Sequence, residues 1–136
     1  MGKGLQYLNS HNIVHRDLKL DNILIHFPSQ DSKKQVGSKF LKHFNCEEDE
    51  IQVIIGDLGF SKKLQEQEMI KSHIGTPLHM APQVMFGQSY DNSADMWSLG
   101  TIVYELLVGF PPFTGLDKKS LAKNIKKGIY KFPKHV

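Results

Sequence analysis

The chain has 136 residues, which is enough for one domain with a single hydrophobic core. Its hydrophobic content of 40% and charged content of 23% are typical of a globular protein and exclude a chain that is disordered throughout. The net charge of +3 is too small to indicate a nucleic acid or a membrane surface as a partner.

The cellular compartment is indicated by what the sequence lacks. Cys46 is the single cysteine, which excludes an internal disulfide framework and a cysteine-rich zinc site and is typical of a reducing compartment. No apolar run approaches the roughly 20 residues of a membrane-spanning helix. Gln6 also departs from the Ser or Thr that a myristoylation signal has at this position. We therefore expect a cytoplasmic, intracellular protein.

Short apolar elements alternate with polar loops in the first part of the chain. Leu5 and Leu8 are three residues apart and predict the end of a helix, which the turn-forming residues 9–12 terminate. Three β-branched runs predict short strands of the kind that is buried in a core, namely residues 13–14, 23–25 and 51–55.

The stretch from about residue 26 to residue 50 has few sustained apolar positions and ends in the acidic run 47–50. Such a pattern predicts a long inserted loop between two strands. The entropy of loop closure grows only slowly with length, so a hairpin connection tolerates an insert of this size.

Two helices are predicted in the second half of the chain. Residues 94–108 carry apolar side chains at helical spacing and nearly all round, which indicates a central helix that ends at Gly109. Asp95 stands near the start of this helix, where capping of the helix N-terminus is the default role. A second, amphipathic helix is predicted over residues 117–127, with Gly128 behind its end.

Two polar loops contain the residues that are candidates for chemistry. Residues 15–22 (HRDLKLDN) and 57–59 (DLG) each follow an apolar strand, and together they supply Asp17, Lys19, Asn22 and Asp57. Phosphoryl transfer requires a carboxylate that orients a hydroxyl, a cation near the migrating group and oxygen ligands for magnesium. The two loops hold all three kinds of group.

These motifs resemble those of protein kinases, in the same order along nearly the whole chain. Residues 15–22 resemble the catalytic loop H-R-D-L-K-x-x-N, and 57–59 resemble the magnesium motif D-F-G. Residues 75–83 (GTPLHMAPQ) are similar to the segment that closes the activation loop, and 95–100 (DMWSLG) to the start of the central helix. The resemblance implies an α+β, mostly α-helical fold: residues 1–136 would be part of the large lobe, incomplete, with short strands around the catalytic loop.

Site roles follow from the resemblance residue by residue. Asp17, Lys19 and Asn22 would be catalytic: Asp17 is the base, and Lys19 steadies the transferred phosphate. ATP and Mg²⁺ would be the cofactors. Lys19, Asn22, Leu24 and Asp57 would contact them, and Asn22 and Asp57 would hold the metal. Lys19 together with the sequence GTP at residues 75–77 is the serine/threonine form of these motifs, so the expected partner is a protein with a Ser or Thr acceptor.

The resemblance also implies regulation. Arg16 would form a cationic pocket for a phosphate, and Ser72 stands where the activation loop of such kinases is phosphorylated by an upstream kinase. Phospho-Ser72 would then pair with Arg16 and order the loop. We assign Thr76, in the segment that closes this loop, to the same regulatory group.

Two further roles that the resemblance implies are structural. Asp95 would form hydrogen bonds with the backbone of the catalytic loop, and His15 would brace this loop and not act as a base.

Departures from the family leave a second interpretation open. The sequence has no glycine-rich loop, strand lysine or paired glutamate of a small lobe, so we expect a fragment that has lost most contacts to ATP. The apolar flanks of residues 23–25 and 94–108 would then be exposed. His79 replaces an aromatic residue and is expected to loosen the substrate-facing loop. The alternative is a catalytically inactive kinase-fold fragment that serves as a protein interaction module.

Overall fold

The computed structural model describes residues 1–28, 44–45, 47, 50–65, 69–70 and 75–134. Its helices are α1 (Gly2–Ser10), α2 (Pro82–Met85), α3 (Ser93–Val108) and α4 (Lys118–Lys127). Its strands are β1 (Ile13–Val14), β2 (Ile23–His26), β3 (Gln52–Ile55) and β4 (Lys62–Lys63). Single turns of 3₁₀-helix lie at Leu20–Asn22, Leu58–Phe60 and Pro77–His79. The predicted fold class, mainly helical with short strands around the polar loops, is confirmed.

The strands form two separate antiparallel pairs. β1 pairs with β4, and β2 pairs with β3 in a register that places Ile23 opposite Ile55 and His26 opposite Gln52. Each polar loop therefore follows a strand that is anchored by a partner. The predicted insert at about residues 26–50 joins β2 to β3, and most of it lies outside the described residues.

Helix α3 contributes to all three clusters of buried apolar side chains. Ala94 belongs to a cluster with Val14 and Tyr90, and Ile102 belongs to a second cluster with Leu5, Leu8 and Leu18. Trp97 packs against the first cluster and against a third one, which is formed by Phe113, Leu121 and Ile125. The prediction of a central helix is therefore confirmed.

Apolar side chains are exposed on two elements of the fold. On α3, Met96, Leu106 and Leu107 are more than half exposed, and so are Leu24 and Ile25 on β2. The prediction that residues 23–25 form a buried strand is wrong for these two side chains. Only Ile23 of this strand packs against a core cluster. An apolar sequence indicates an apolar surface without showing what covers it.

The helix ends agree with the predicted turn chemistry, with one exception. The Asp117 carboxylate accepts the backbone N–H of Ser120 and caps α4, and Gly109 and Gly128 adopt left-handed backbones behind α3 and α4. Asp95 is the exception. It is the third residue of α3, and its carboxylate accepts the backbone N–H groups of His15 and Arg16. The default capping role is therefore wrong, and the contact with this loop that the kinase resemblance implies is confirmed.

Candidate active site

The polar loop between β1 and β2 is held by one buried carboxylate. Asp95 is 4% exposed, and it accepts the backbone N–H of His15 at 2.7 Å and of Arg16 at 3.0 Å. Arg16 has a left-handed backbone with φ of 73°, a conformation that costs a non-glycine residue about 1 kcal/mol or more. The two hydrogen bonds fix the loop in this strained turn.

Burial raises the pKa of Asp95, and the hydrogen bonds from His15 and Arg16 act in the opposite direction. The hydrogen bonds therefore have two functions: they position the loop, and they offset part of the cost of a carboxylate that is almost removed from water.

His15 connects the two polar loops. Its side chain is fully buried, and Nε2 lies 2.9 Å from the backbone oxygen of Gly56. Because a carbonyl oxygen only accepts, Nε2 carries the proton, and Nδ1 is left as the acceptor for the N–H of Asp17 at 3.4 Å. His15 thus braces the loop, as predicted, and is not available as a base.

Asp17 lies at the centre of a cluster of donors. Its Oδ1 accepts the hydroxyl of Thr76 at 2.8 Å, and Nζ of Lys19 lies 3.0 Å from Oδ2. The amide nitrogen of Asn22 donates to the backbone oxygen of Asp17 at 2.8 Å. Burial raises the pKa of Asp17, but the hydrogen bonds from Thr76 and Lys19 outweigh it and hold the pKa below its usual value. The carboxylate is therefore ionised at neutral pH although the residue is only 5% exposed.

The second polar loop is tied to the first through the backbone. The N–H of Gly56 donates to the oxygen of Asn22 at 2.8 Å, directly before Asp57. Asp57 has a left-handed backbone with φ of 56°, and its Oδ1 accepts the N–H of Gly59 at 3.1 Å. The hydrogen bond to Asp17 raises the pKa of Lys19. The negative charge of Asp57 also raises this pKa, to a smaller extent.

The oxygens of Asn22 and Asp57 are suitable for magnesium. The nitrogen of the Asn22 amide is engaged, whereas its Oδ1 makes no hydrogen bond within the described part of the chain. Asp57 uses one of its two carboxylate oxygens for Gly59. No group of three or more His, Cys, Asp or Glu side chains able to hold a metal occurs among the described residues. Mg²⁺ requires only one or two protein oxygens when phosphates and water complete its shell, so this donor set fits.

The other predicted site residues are Arg16, Leu24, Ser72 and Thr76, of which Thr76 contacts Asp17. Arg16 donates through Nε to the backbone oxygen of Phe60, and Leu24 lies on β2 with its side chain 53% exposed. Thr76, assigned to regulation, contacts Asp17 itself. Ser72 lies outside the described residues, so its pairing with Arg16 stays a prediction.

Glycine is required where the activation-loop segment passes Arg16. Gly75 has φ of 124°, and a Cβ at this position would stand 2.5 Å from the backbone oxygen of Arg16. This close approach places the hydroxyl of the following residue, Thr76, within hydrogen-bonding distance of the Asp17 carboxylate.

A buried hydrogen-bonded network under this segment was not predicted from the sequence. The hydroxyl of Thr101 donates to the backbone oxygen of Ser98, so its oxygen accepts from Nδ1 of His79 at 3.0 Å. Nε2 of His79 then faces Oε2 of Glu105 at 3.6 Å, and the hydroxyl of Ser98 donates to the backbone oxygen of His79. The expectation that His79 loosens the loop is wrong, because the side chain is buried and anchored to α3.

The environment of His79 favours its neutral form. Burial lowers the pKa of His79, and the opposing effects of Glu105 and, more weakly, Asp17 and Asp21 are smaller. Lys19 acts in the same direction as burial. The sequence indicates this network only through polar residues at unexpected positions. These are His79 and, on the buried face of α3, Ser98 and Thr101.

Comparison with known proteins agrees with this geometry. The profile of the protein kinase domain family matches residues 1–135. The chain belongs to the protein kinase family. Among the protein kinases that it resembles are a probable myosin light chain kinase of Dictyostelium discoideum (38% identical, 96% of this chain and 32% of that protein) and the DNA damage response protein kinase DUN1 of Saccharomyces cerevisiae (38%, 95% and 25%).

A third similar protein kinase is calcium-dependent protein kinase 5 of Plasmodium berghei, 40% identical over 94% of this chain and 19% of that protein. The chain thus spans about a third or less of the length of these relatives. Within the described residues, no helix of this kinase chain is long and apolar enough to cross a bilayer.

The substitution Asp95→Asn is expected to destabilise the protein by about 1–3 kcal/mol, because an amide offers one oxygen and leaves one buried N–H of residue 15 or 16 without an acceptor. Urea unfolding measures the change. The control is Asp91→Asn in a turn, where the carboxylate accepts from Ser93 and an amide oxygen can still accept the N–H of that residue. Equal unfolding midpoints for the two variants would contradict the role of Asp95.

The substitution Thr76→Val is expected to raise the pKa of Asp17, because it removes a hydrogen bond that favours the charged form. A lowered pKa contributes stability that is present above the usual value of 3.8 and is lost as the pH falls through the folded-state pKa. In the variant this loss begins at higher pH. An NMR titration of the Asp17 carboxyl carbon measures the shift, and Thr114→Val, at an exposed position, is the control. An unchanged titration would show that Thr76 does not act on Asp17.

The lowered pKa of His79 also makes the protein less stable in acid, in the pH range below 6.5. Between its folded-state pKa and the usual value of 6.5 the unfolded chain binds more protons at this residue, so stability decreases as the pH falls below 6.5. His79→Gln is expected to remove this part of the pH dependence, which unfolding curves at several pH values measure. His11→Gln, at the exposed end of α1, should keep the wild-type slope. If both variants behave alike, His79 is not the titrating group.

Proposed function

We propose that this chain is part of an ATP- and Mg²⁺-dependent protein serine/threonine kinase in which Asp17 orients the acceptor hydroxyl. The observation that carries the proposal is the state of this carboxylate, which is buried, ionised and in contact with Lys19 and Thr76. An ionised carboxylate accepts a hydrogen bond from a hydroxyl nucleophile and receives its proton during transfer. A carboxylate beside a cation is an arrangement that suits phosphoryl transfer.

The neighbours of Asp17 support the same reaction. The ammonium of Lys19 is close enough to balance charge on a transferred phosphoryl group, since it lies beside the base that holds the nucleophile. Asn22 and Asp57 would hold Mg²⁺, and the exposed side chain of Leu24 would offer an apolar surface to adenine. When bound, Mg²⁺ neutralises charge on the β- and γ-phosphate oxygens.

The acceptor class and the regulation follow from residues around this centre. Lys19, with Gly75 and Thr76, has the form typical of serine/threonine kinases, so the proposed substrate is a serine or threonine of an intracellular protein. We propose phosphorylation of Ser72 by an upstream kinase as the activating event. Arg16, which already contacts the backbone of Phe60 beside the metal motif, would link the phosphate to that motif.

A second candidate function is a non-catalytic interaction module. The observation that favours it is the set of apolar side chains exposed on α3 and β2, which suits a surface covered by another protein. The two candidates differ in one measurable property, because only the kinase requires the charge of Asp17.

The test is phosphate transfer from Mg-ATP to serine and threonine peptides, measured on the protein encoded by the complete transcript. Asp17→Asn is expected to lower kcat by about 10²–10⁴-fold, as for loss of a general base. The matched control is Asp21→Asn, an exposed acid four residues along the same loop, which should retain activity within about threefold. Activity that survives Asp17→Asn would disprove the assignment, and a complete protein with no transfer at all would favour the module.

A further inference from the structure

His79 and Glu105 form a buried pair of groups that the proposed reaction does not use. Nε2 of His79 faces Oε2 of Glu105 at 3.6 Å, which is longer than a hydrogen bond. Within the part of the chain that the structure describes, this carboxylate oxygen is buried and accepts no hydrogen bond. Such an oxygen is costly, because it has left water without gaining a donor. The two atoms therefore lack a proton between them.

The tautomer of His79 decides where such a proton binds. Thr101 gives its own hydroxyl proton to the backbone oxygen of Ser98 at 2.8 Å, so Nδ1 of His79 donates to Thr101. In the neutral ring this proton on Nδ1 is the only one. A second proton binds at Nε2, next to Glu105, and it converts the neutral ring into a cation.

The surroundings of the ring resist this second proton. His79 is 6% exposed, and burial is the largest influence on its pKa, which is lowered. Glu105 on α3 is the largest opposing influence, and Asp17 and Asp21 of the polar loop oppose burial more weakly. Lys19 of the same loop acts in the direction of burial. A conformation that returns the ring to water restores the usual pKa of 6.5.

Proton uptake is therefore coupled to release of the ring from α3. Between the lowered pKa of the anchored ring and 6.5, the released ring binds more protons than the anchored ring. A fall in pH through this range therefore shifts the equilibrium toward release. Because one ring binds one extra proton, the equilibrium shifts at most about tenfold for each pH unit below 6.5.

The anchored ring also holds the turn that contacts Asp17. The backbone N–H of His79 donates to the oxygen of Thr76 at 3.0 Å and closes the 3₁₀ turn at residues 77–79. The hydroxyl of Ser98 donates to the backbone oxygen of His79 at 2.8 Å. At the other end of the same turn, the hydroxyl of Thr76 donates to Asp17 at 2.8 Å. Release of the ring from α3 therefore removes a support of the contact with Asp17.

We propose that His79 is a positioning residue which, when it gains a proton, leaves α3 and withdraws Thr76 from Asp17, so that phosphoryl transfer decreases in mild acid. The effect on transfer rests on the proposed function, whereas release of the turn does not depend on it. The competing outcome is a protonated ring that stays in place and donates from Nε2 to Glu105. Burial outweighs the attraction of Glu105, which favours release.

The first test is an NMR titration of the purified chain between about pH 7.5 and 5.5, a range that brackets the usual pKa of histidine. We expect the methyl resonance of Thr76 to shift with the same midpoint as the ring of His79, below pH 6.5. The resonance should stay constant in His79→Phe, whose ring has a similar shape but binds no proton. A constant Thr76 resonance while His79 titrates in the wild type would overturn release, because the proton is then taken up in place.

A second variant tests the anchor if His79→Phe does not fold. Thr101→Val removes the acceptor of Nδ1, so the ring should leave α3 more readily and the pKa of His79 should rise toward 6.5. An unchanged pKa of His79 in this variant would show that Thr101 does not hold the ring, and would overturn the anchor.

The last test is the pH dependence of phosphate transfer by the protein encoded by the complete transcript. The ratio of kcat at about pH 7.5 to kcat at about pH 5.5 is expected to be about three- to tenfold larger in the wild type than in His79→Phe. The matched control is His11→Phe at the exposed end of α1, which should keep the wild-type ratio. Equal ratios for the wild type and His79→Phe would overturn the effect on transfer. A protein that transfers nothing would disprove the proposed function, and the NMR titration would still decide whether the turn is released.

Discussion

The whole candidate site depends on a single carboxylate that reaches across the fold. Asp95 lies in the first turn of α3, and it accepts two consecutive backbone N–H groups of the loop 80 residues before it. These bonds hold Arg16 in a left-handed conformation that a non-glycine residue does not adopt without support. The turn at Arg16 in turn places Asp17 between Lys19, Asn22 and Thr76. Without Asp95, nothing in the local sequence of the loop would prefer this conformation.

Asp95 and Asp17 show how the same side chain acquires two roles from its surroundings. Both are almost fully buried, but Asp95 meets only backbone N–H groups and burial dominates its pKa, which is raised. Asp17 meets the hydroxyl of Thr76 and the ammonium of Lys19, which together lower its pKa. The first carboxylate is thereby committed to structure. The second keeps its charge at neutral pH.

The sequence predicted the parts of this molecule that are encoded locally. The ends of α3 and α4 were identified from Gly109, Gly128 and Asp117, because the backbone conformation of a cap depends on the residue that occupies it. The residues of the two polar loops were identified because their order and spacing match a known chemistry. Helix α3 was identified by the periodicity of its apolar side chains.

What could not be predicted depends on parts of the chain that are distant in sequence. The local sequence indicated only a capping role for Asp95, because its partners, His15 and Arg16, lie 80 and 79 residues away. Its contact with this loop was implied by the resemblance to kinases alone. His79 was expected to loosen its segment because the sequence does not show that Thr101 would stand below it. Whether Leu24 is exposed depends on which other elements pack against its strand. The pattern of apolar residues along the strand does not predict those elements.

Packing also connects α4 to the polar loop that contains Asp17. Leu78, between Thr76 and His79, packs against the cluster that Leu121 and Ile125 of α4 form with Phe113. The turn that carries Leu78 also carries the hydrogen bonds of Thr76 to Asp17 and of His79 to Thr101. One face of α4 therefore supports the residue that donates a hydrogen bond to the carboxylate of Asp17.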